Sequence, residues 1–111
     1  MVRIRDNDIT ITQGDTLETK LTIITPDGET FEPSSGDALR IAIKGAYTDT
    51  IPILVKDIPT DTMLIRLESE ETEIMKARRM PYVYDVQLTL PDGTVATVIA
   101  KGKLYVTEEV D

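Results

Sequence analysis

Tyr82-Val83-Tyr84-Asp85-Val86-Gln87-Leu88-Thr89-Leu90 alternates without a break. Successive side chains of a strand point to opposite faces, so Tyr82, Tyr84, Val86, Leu88 and Leu90 fall on one side and Val83, Asp85, Gln87 and Thr89 on the other. The first set is apolar enough to face a core. The length and regularity of the run place it centrally in a sheet. Pro81 holds Met80 out of helical geometry before it, and Pro91-Asp92-Gly93 turns the chain after it. The two tyrosines share the period of Val86 and Leu88, so they read as core residues rather than as an outward sugar-stacking platform.

Further along, Thr94 to Ala100 continues as extended chain, and Gly102 permits a bend before Leu104 and Val106. Val95, Val98, Ile99 and Ala100 do not hold period two, so their facing stays open. Toward the N-terminus, Ser69 reads as an N-cap, Glu70 and Glu71 suit the positive end of a helix, and Lys76, Arg78 and Arg79 suit its negative end. The expectation is a short helix of about two turns near residues 69–78. From Thr62 to Glu68, Met63, Ile65 and Leu67 share one face. Ile51, Ile53 and Val55 alternate as well, and Pro52 assigns that segment to a strand start or an edge, because proline cannot donate to a ladder.

The N-terminal half follows the same pattern. Leu39, Ile41 and Ile43 alternate with Arg40, Ala42 and Lys44, after a loop over Glu32-Pro33-Ser34-Ser35-Gly36-Asp37. Leu17 to Thr25 places Leu17, Thr19, Leu21 and Ile23 on one face and ends at Pro26-Asp27-Gly28. Ile9 and Ile11 alternate with Thr10 and Thr12, and Gln13-Gly14-Asp15 closes that strand. Seven or eight short strands with turns about every ten residues predict an all-β, immunoglobulin-like antiparallel β-sandwich over residues 1–111, as one domain. An antibody-type domain is excluded, because the chain has neither cysteine nor tryptophan.

Composition narrows the function. Twenty acids against 12 bases give a net charge of −8, which repels phosphate backbones and anionic membranes. Lys76, Arg78 and Arg79 are the densest basic group, and the helix end accounts for them, so no basic patch is expected. No apolar run approaches the roughly 20 residues of a membrane span, and Met1-Val2-Arg3-Ile4-Arg5-Asp6 leads into no signal-peptide core. Without His or Cys, the usual general base and thiol nucleophile are missing. Ser34 and Ser35 lie in a loop and Ser69 reads as a cap; nothing in the spacing supports a dyad with Lys44. Paired carboxylates are numerous, yet one Phe and four Tyr are few for a sugar-lined cleft. Asp6-Asn7-Asp8, and Asp57 with Asp61, lack the calcium-loop pattern, and the acidic loops around Asp27, Asp57 and Asp92 are surface. No catalytic, cofactor-binding or metal-ligating residue is therefore assigned.

Several of these segments together resemble a known family. Gln13-Gly14-Asp15-Thr16 after a first short strand, Gly36-Asp37 before a strand ending in Ile43-Lys44, and Tyr82-Val83-Tyr84-Asp85-Val86-Gln87-Leu88-Thr89 carry the likeness. Thr97-Val98-Ile99 and Val106-Thr107-Glu108-Glu109-Val110 extend it over nearly the whole chain. The sequence is similar to the small immunoglobulin-like virion proteins of phages and prophages, in particular to the N-terminal domain of phage baseplate upper proteins. It departs from them where Arg79-Met80-Pro81 stands in place of a glycine before the Tyr-Val-Tyr strand. The resemblance implies a non-enzymatic structural or adaptor module of the tail or baseplate, without cofactors, that contacts other tail proteins or copies of itself. It implies residence in the virion after synthesis in the bacterial cytoplasm. The alternatives are a carbohydrate-binding module for a bacterial surface glycan, marked by outward Tyr47, Tyr82 or Tyr105 on a groove, and a bacterial immunoglobulin-like adhesion domain.

Overall fold

A computed structural model describes residues 3–5, 7–25 and 27–108, with side chains from residue 7 onward. Outside them lie Pro26 of the first proline turn, Asp6 of the Asp6-Asn7-Asp8 segment and the Glu109-Val110 end. In chain order the elements are β1 (Arg3–Arg5), β2 (Asp8–Thr12), β3 (Leu17–Lys20), β4 (Ala38–Lys44), β5 (Leu54–Ile58), β6 (Leu64–Leu67), α1 (Ser69–Glu73), β7 (Tyr82–Thr89) and β8 (Val95–Thr107). One sheet has the order β1-β2-β8-β7-β4-β5, and β3 pairs with β6 in a second. The fold is all-β and sandwich-like. It is not wholly antiparallel, because β2 runs parallel to β8, with Ile9 beside Leu104 and Ile11 beside Val106.

One apolar cluster joins the two layers. The large sheet contributes Ile11, Leu39, Ile43, Val86, Leu104 and Val106, and the small one contributes Leu17, Ile65 and Leu67. Each buried aliphatic side chain is worth roughly 1.5–3 kcal/mol of transfer free energy, so this cluster is the main force holding the layers together. The strand Tyr82–Thr89 lies between β8 and β4 with Tyr82, Tyr84, Val86 and Leu88 buried, as its alternation requires. Tyr82 and Tyr84 have their rings in the core and their hydroxyls satisfied, donating to the Lys76 and Asn7 carbonyl oxygens.

Four local expectations need correction. The second predicted strand stops at Lys20; Leu21 keeps one ladder bond, donating to the Met63 carbonyl, and Ile24 makes only an isolated bridge to Thr30. β5 does form a sheet edge, but it begins at Leu54. Ile51, Ile53 and Val55 remain exposed while Ile58 enters the core. The helix spans five residues, and its N-cap is Glu68 rather than Ser69. The Glu68 side chain accepts from the third helical N–H, and Glu71 reaches back to the Glu68 N–H. That reciprocal pair outcompetes a serine one residue later. No basic residue lies in the last turn, so Lys76, Arg78 and Arg79 fall beyond the helix and complement no dipole.

The ambiguous stretch after Gly93 is one strand, β8, interrupted between Ile99 and Gly102. Its register with β7 shifts on either side of Val86, and Lys101 takes φ +57°, the left-handed region. A bulge of this kind re-aims the side chains around it, which is why period two fails there.

Candidate functional site

The bulge in β8 shapes the outward face of the large sheet. Lys44, Val83 and Lys103 stand side by side on β4, β7 and β8. Val83 therefore points away from the core, yet it is only 8% exposed. Lys44, Lys103 and the loop that follows β4 line the hollows around it, an arrangement in which long cationic stems can shield apolar surface. That loop carries Tyr47. The Asp49 carboxylate accepts from the Ala46 N–H at 3.1 Å, and the Asp49 N–H donates to the Ala46 carbonyl, closing a tight turn.

Around Val83 and Tyr47 the surface sinks into two adjoining hollows of about 300 and 440 Å³. Ala42, Lys44, Asp85 and Lys101 line the first, and Met80, Pro81, Arg78 and Lys103 line the second. Tyr47 and Met80 are 55% and 72% exposed, so the groove offers apolar surface to solvent. The Lys101 ammonium lies 5.7 Å from the Tyr47 ring centroid. It reaches that position because the bulge turns its backbone into the left-handed region. Arg78 closes the far wall. Its guanidinium stacks 3.7 Å from the centroid of Tyr82 and donates to the carbonyl oxygens of Gly45, Met80 and Pro81.

Charge sets the groove apart. Four of the chain's 12 Lys and Arg residues line it, against one of its 20 acids. The sequence pointed to no basic patch, and here the structure corrects it. The cations come from separate segments, so no local run announces them. The available signal was indirect: pairing the Tyr82 strand with both neighbours sets Lys44 and Lys103 on either side of Val83. Of the tyrosines singled out as groove candidates, Tyr47 is exposed in the groove, Tyr82 is buried beneath it, and Tyr105 is half-buried on β8.

The residues weighed for chemistry stay apart. Ser34 and Ser35 precede β4 while Lys44 ends it, a separation of roughly 20 Å along a strand. Ser69 opens the helix. Asp57 lies on β5 and Asp61 in the following loop, where its carboxylate accepts from the Thr62 N–H. Among the described residues no three His, Cys, Asp or Glu side chains gather as a metal site would require. Asp27 and Asp92 sit at turns, each held below the usual carboxylate range. For Asp27 the chief cause is the Thr25 hydroxyl, and for Asp92 it is the Thr94 N–H. Among the described residues no helix is long and apolar enough to cross a membrane. No protein-family model, curated protein or solved structure matches the chain.

Proposed function

We propose that this chain is a non-enzymatic assembly module, a structural or adaptor component of a phage or prophage tail or baseplate, acting through protein–protein contact. One observation carries the assembly part: the open groove on the large sheet, where Tyr47, Met80 and Val83 form an apolar floor inside a rim of Lys44, Arg78, Lys101 and Lys103. An exposed apolar patch rimmed by charge is the usual form of a protein-binding surface. It holds no proton-shuttling histidine or thiol, so recognition rather than turnover is what its side chains can supply. The particle assignment, with the immunoglobulin-like topology it entails, rests on the sequence resemblance. It is tested by the genes flanking this one and by mass spectrometry of purified particles. A tail-assembly cluster and a stoichiometric band support it, and a metabolic operon overturns it.

Exposed Tyr47 favours a second reading, a carbohydrate-binding module, because sugar rings stack on accessible aromatic faces. Titration of bacterial surface glycans against the wild type and Tyr47→Ala decides it. Saturable binding lost in the variant would establish the glycan reading in place of the protein one.

A further inference from the structure

The groove lies at one end of the large sheet, and the opposite end is acidic. Lys44, Val83 and Lys103 are neighbours at the first end; Ala38, Thr89 and Val95 are neighbours at the second, where Leu39 also faces Ile58. The loops that leave this second end carry Asp37, Asp61 and Asp92, with Asp57 next to the last residue of β5. Asp27 and Glu29 lie in the loop beyond β3, whose last residue pairs with the start of β6 at this same end. Lys20 and Arg40 are the bases among them, and Arg40 stands opposite Asp57. The molecule measures 45 Å in its longest dimension. The lining of the groove, with four bases and one acid, is opposite in sign to this end.

The acidic end also presents a shape that suits a hollow. The turn between β7 and β8 projects Pro91, Asp92 and Gly93, with Val95 beside it 55% exposed. The turn is well braced. Leu90 and Thr94 bond across it, the Asp92 carboxylate accepts from the Thr94 N–H at 2.8 Å, and Pro91 packs over Gly36, where an added Cβ would lie 3.0 Å from the proline ring. A knob already ordered loses little conformational freedom on docking. Its apolar members match the floor of the groove, and its carboxylate matches the rim.

We infer that the groove receives the β7–β8 turn of a second copy of this chain, head to tail. The inference rests on the assembly reading above and names its partner. Because the two surfaces differ, each added copy leaves one groove and one turn unfilled, so association continues past a dimer unless a ring closes. The contact is partly electrostatic between exposed groups, so salt weakens it.

Sedimentation velocity over a range of concentrations tests this with three proteins. The wild type is expected to grow beyond dimer at low ionic strength and to dissociate in about 1 M salt, where screening acts within ~3 Å. Lys44→Glu with Lys103→Glu removes the receptor, and Asp92→Asn with Val95→Arg removes the knob while keeping an acceptor for the Thr94 N–H. Each double variant is expected to be monomeric and to keep the wild-type circular dichroism spectrum. Mixed together, they are expected to form a dimer and nothing larger, because one retains the knob and the other the groove. A wild type that stays monomeric overturns the inference, as does association that both variants retain or a mixture that stays monomeric while the wild type associates. None of these results removes the chain from a tail gene cluster or from purified particles, so the assembly reading fails or stands separately.

Discussion

The ring of Tyr84 occupies the space that any side chain at position 102 would need: a Cβ built on Gly102 lies 2.5 Å from two of its ring carbons. Tyr84 on β7 faces Gly102 on β8 across the ladder, one residue past the left-handed Lys101. The glycine thus lets the tyrosine lie flat against the bulged strand. The bulge in turn carries Lys101 to Tyr47.

Gly102→Ala is therefore expected to destabilise the fold by about 1–3 kcal/mol, the range for forcing extra atoms into a packed interior. The neighbour is a buried aromatic ring held by its hydroxyl, so it cannot swing aside. Urea unfolding checks this through the transition midpoint. A midpoint equal to the wild type's would show that the strand shifts freely there.

Alkaline pH reads out the same tyrosine. Burial, with the negative charge of Asp8 second, pushes the Tyr84 hydroxyl up from 10.0 to about 12. A proton held more tightly by the folded than by the unfolded chain makes stability fall as pH rises between those two values. The protection is complete below pH 10 and is lost toward pH 12. Tyr84→Phe is expected to flatten this part of the profile, measured as the difference between the two proteins so that lysine titration cancels. It also lowers stability by about 1 kcal/mol at neutral pH, through the lost bond to the Asn7 carbonyl.

The sequence was readable where one rule acts alone. Residues 82–90 alternate because β7 has a covered strand on each side and a core below, and nothing local competes with the period. Residues 95–101 were not readable, since the register shift follows from a contact between Tyr84 and Gly102 that no window of either strand contains. The helix start was misread for a related reason. Serine is a strong cap in isolation, but Glu68 and Glu71 form a reciprocal pair that serine at 69 cannot match. The groove is the extreme case: its cations lie on β4, on β8 and in the segment before β7, and only strand pairing brings them to one face.

Glu71 links the helix cap to acid stability. Burial opposes its ionisation most strongly, but the Lys56 ammonium at 2.8 Å and the Glu68 N–H together outweigh that and hold the carboxyl below its usual value near 4.5. With a depressed folded pKa, the stabilisation is present above 4.5 and is lost as pH falls through the folded value. Glu71→Gln is expected to be less stable than the wild type at neutral pH and to converge with it in acid. Thermal melts across that window measure the convergence; parallel profiles would show that the pair contributes nothing.

Thr72 is the fully buried polar residue of the helix, and its hydroxyl donates to the Asp15 carbonyl at 2.7 Å, tying α1 to the turn after β2. Thr72→Val keeps the shape and removes the donor. The expected cost is about 1–2 kcal/mol. Thr72→Ser keeps the donor and loses one methyl, at about 1 kcal/mol. Chemical denaturation separates them: a valine variant as stable as the wild type would reduce the hydroxyl to a passenger.

Arg78 lies where the core and the groove meet, so its replacement should be felt in both. Its planar guanidinium stacks on Tyr82 and at the same time donates to Gly45, Met80 and Pro81, joining the loop that carries Tyr47 to the strand entry that carries Met80. A lysine ammonium can neither stack in this way nor reach three carbonyl oxygens from one fork. Arg78→Ala is expected to cost about 1–2 kcal/mol, the joint worth of a partly exposed cation–π contact and charge-assisted hydrogen bonds, and Arg78→Lys is expected to restore little of it. Hydrogen exchange should show faster opening of residues 45–49 and of Met80 in both variants, while the amides of Val86 and Leu88 keep their protection. Full rescue by lysine would mean that only the charge matters at this position, and that the groove wall is held by something other than the fork.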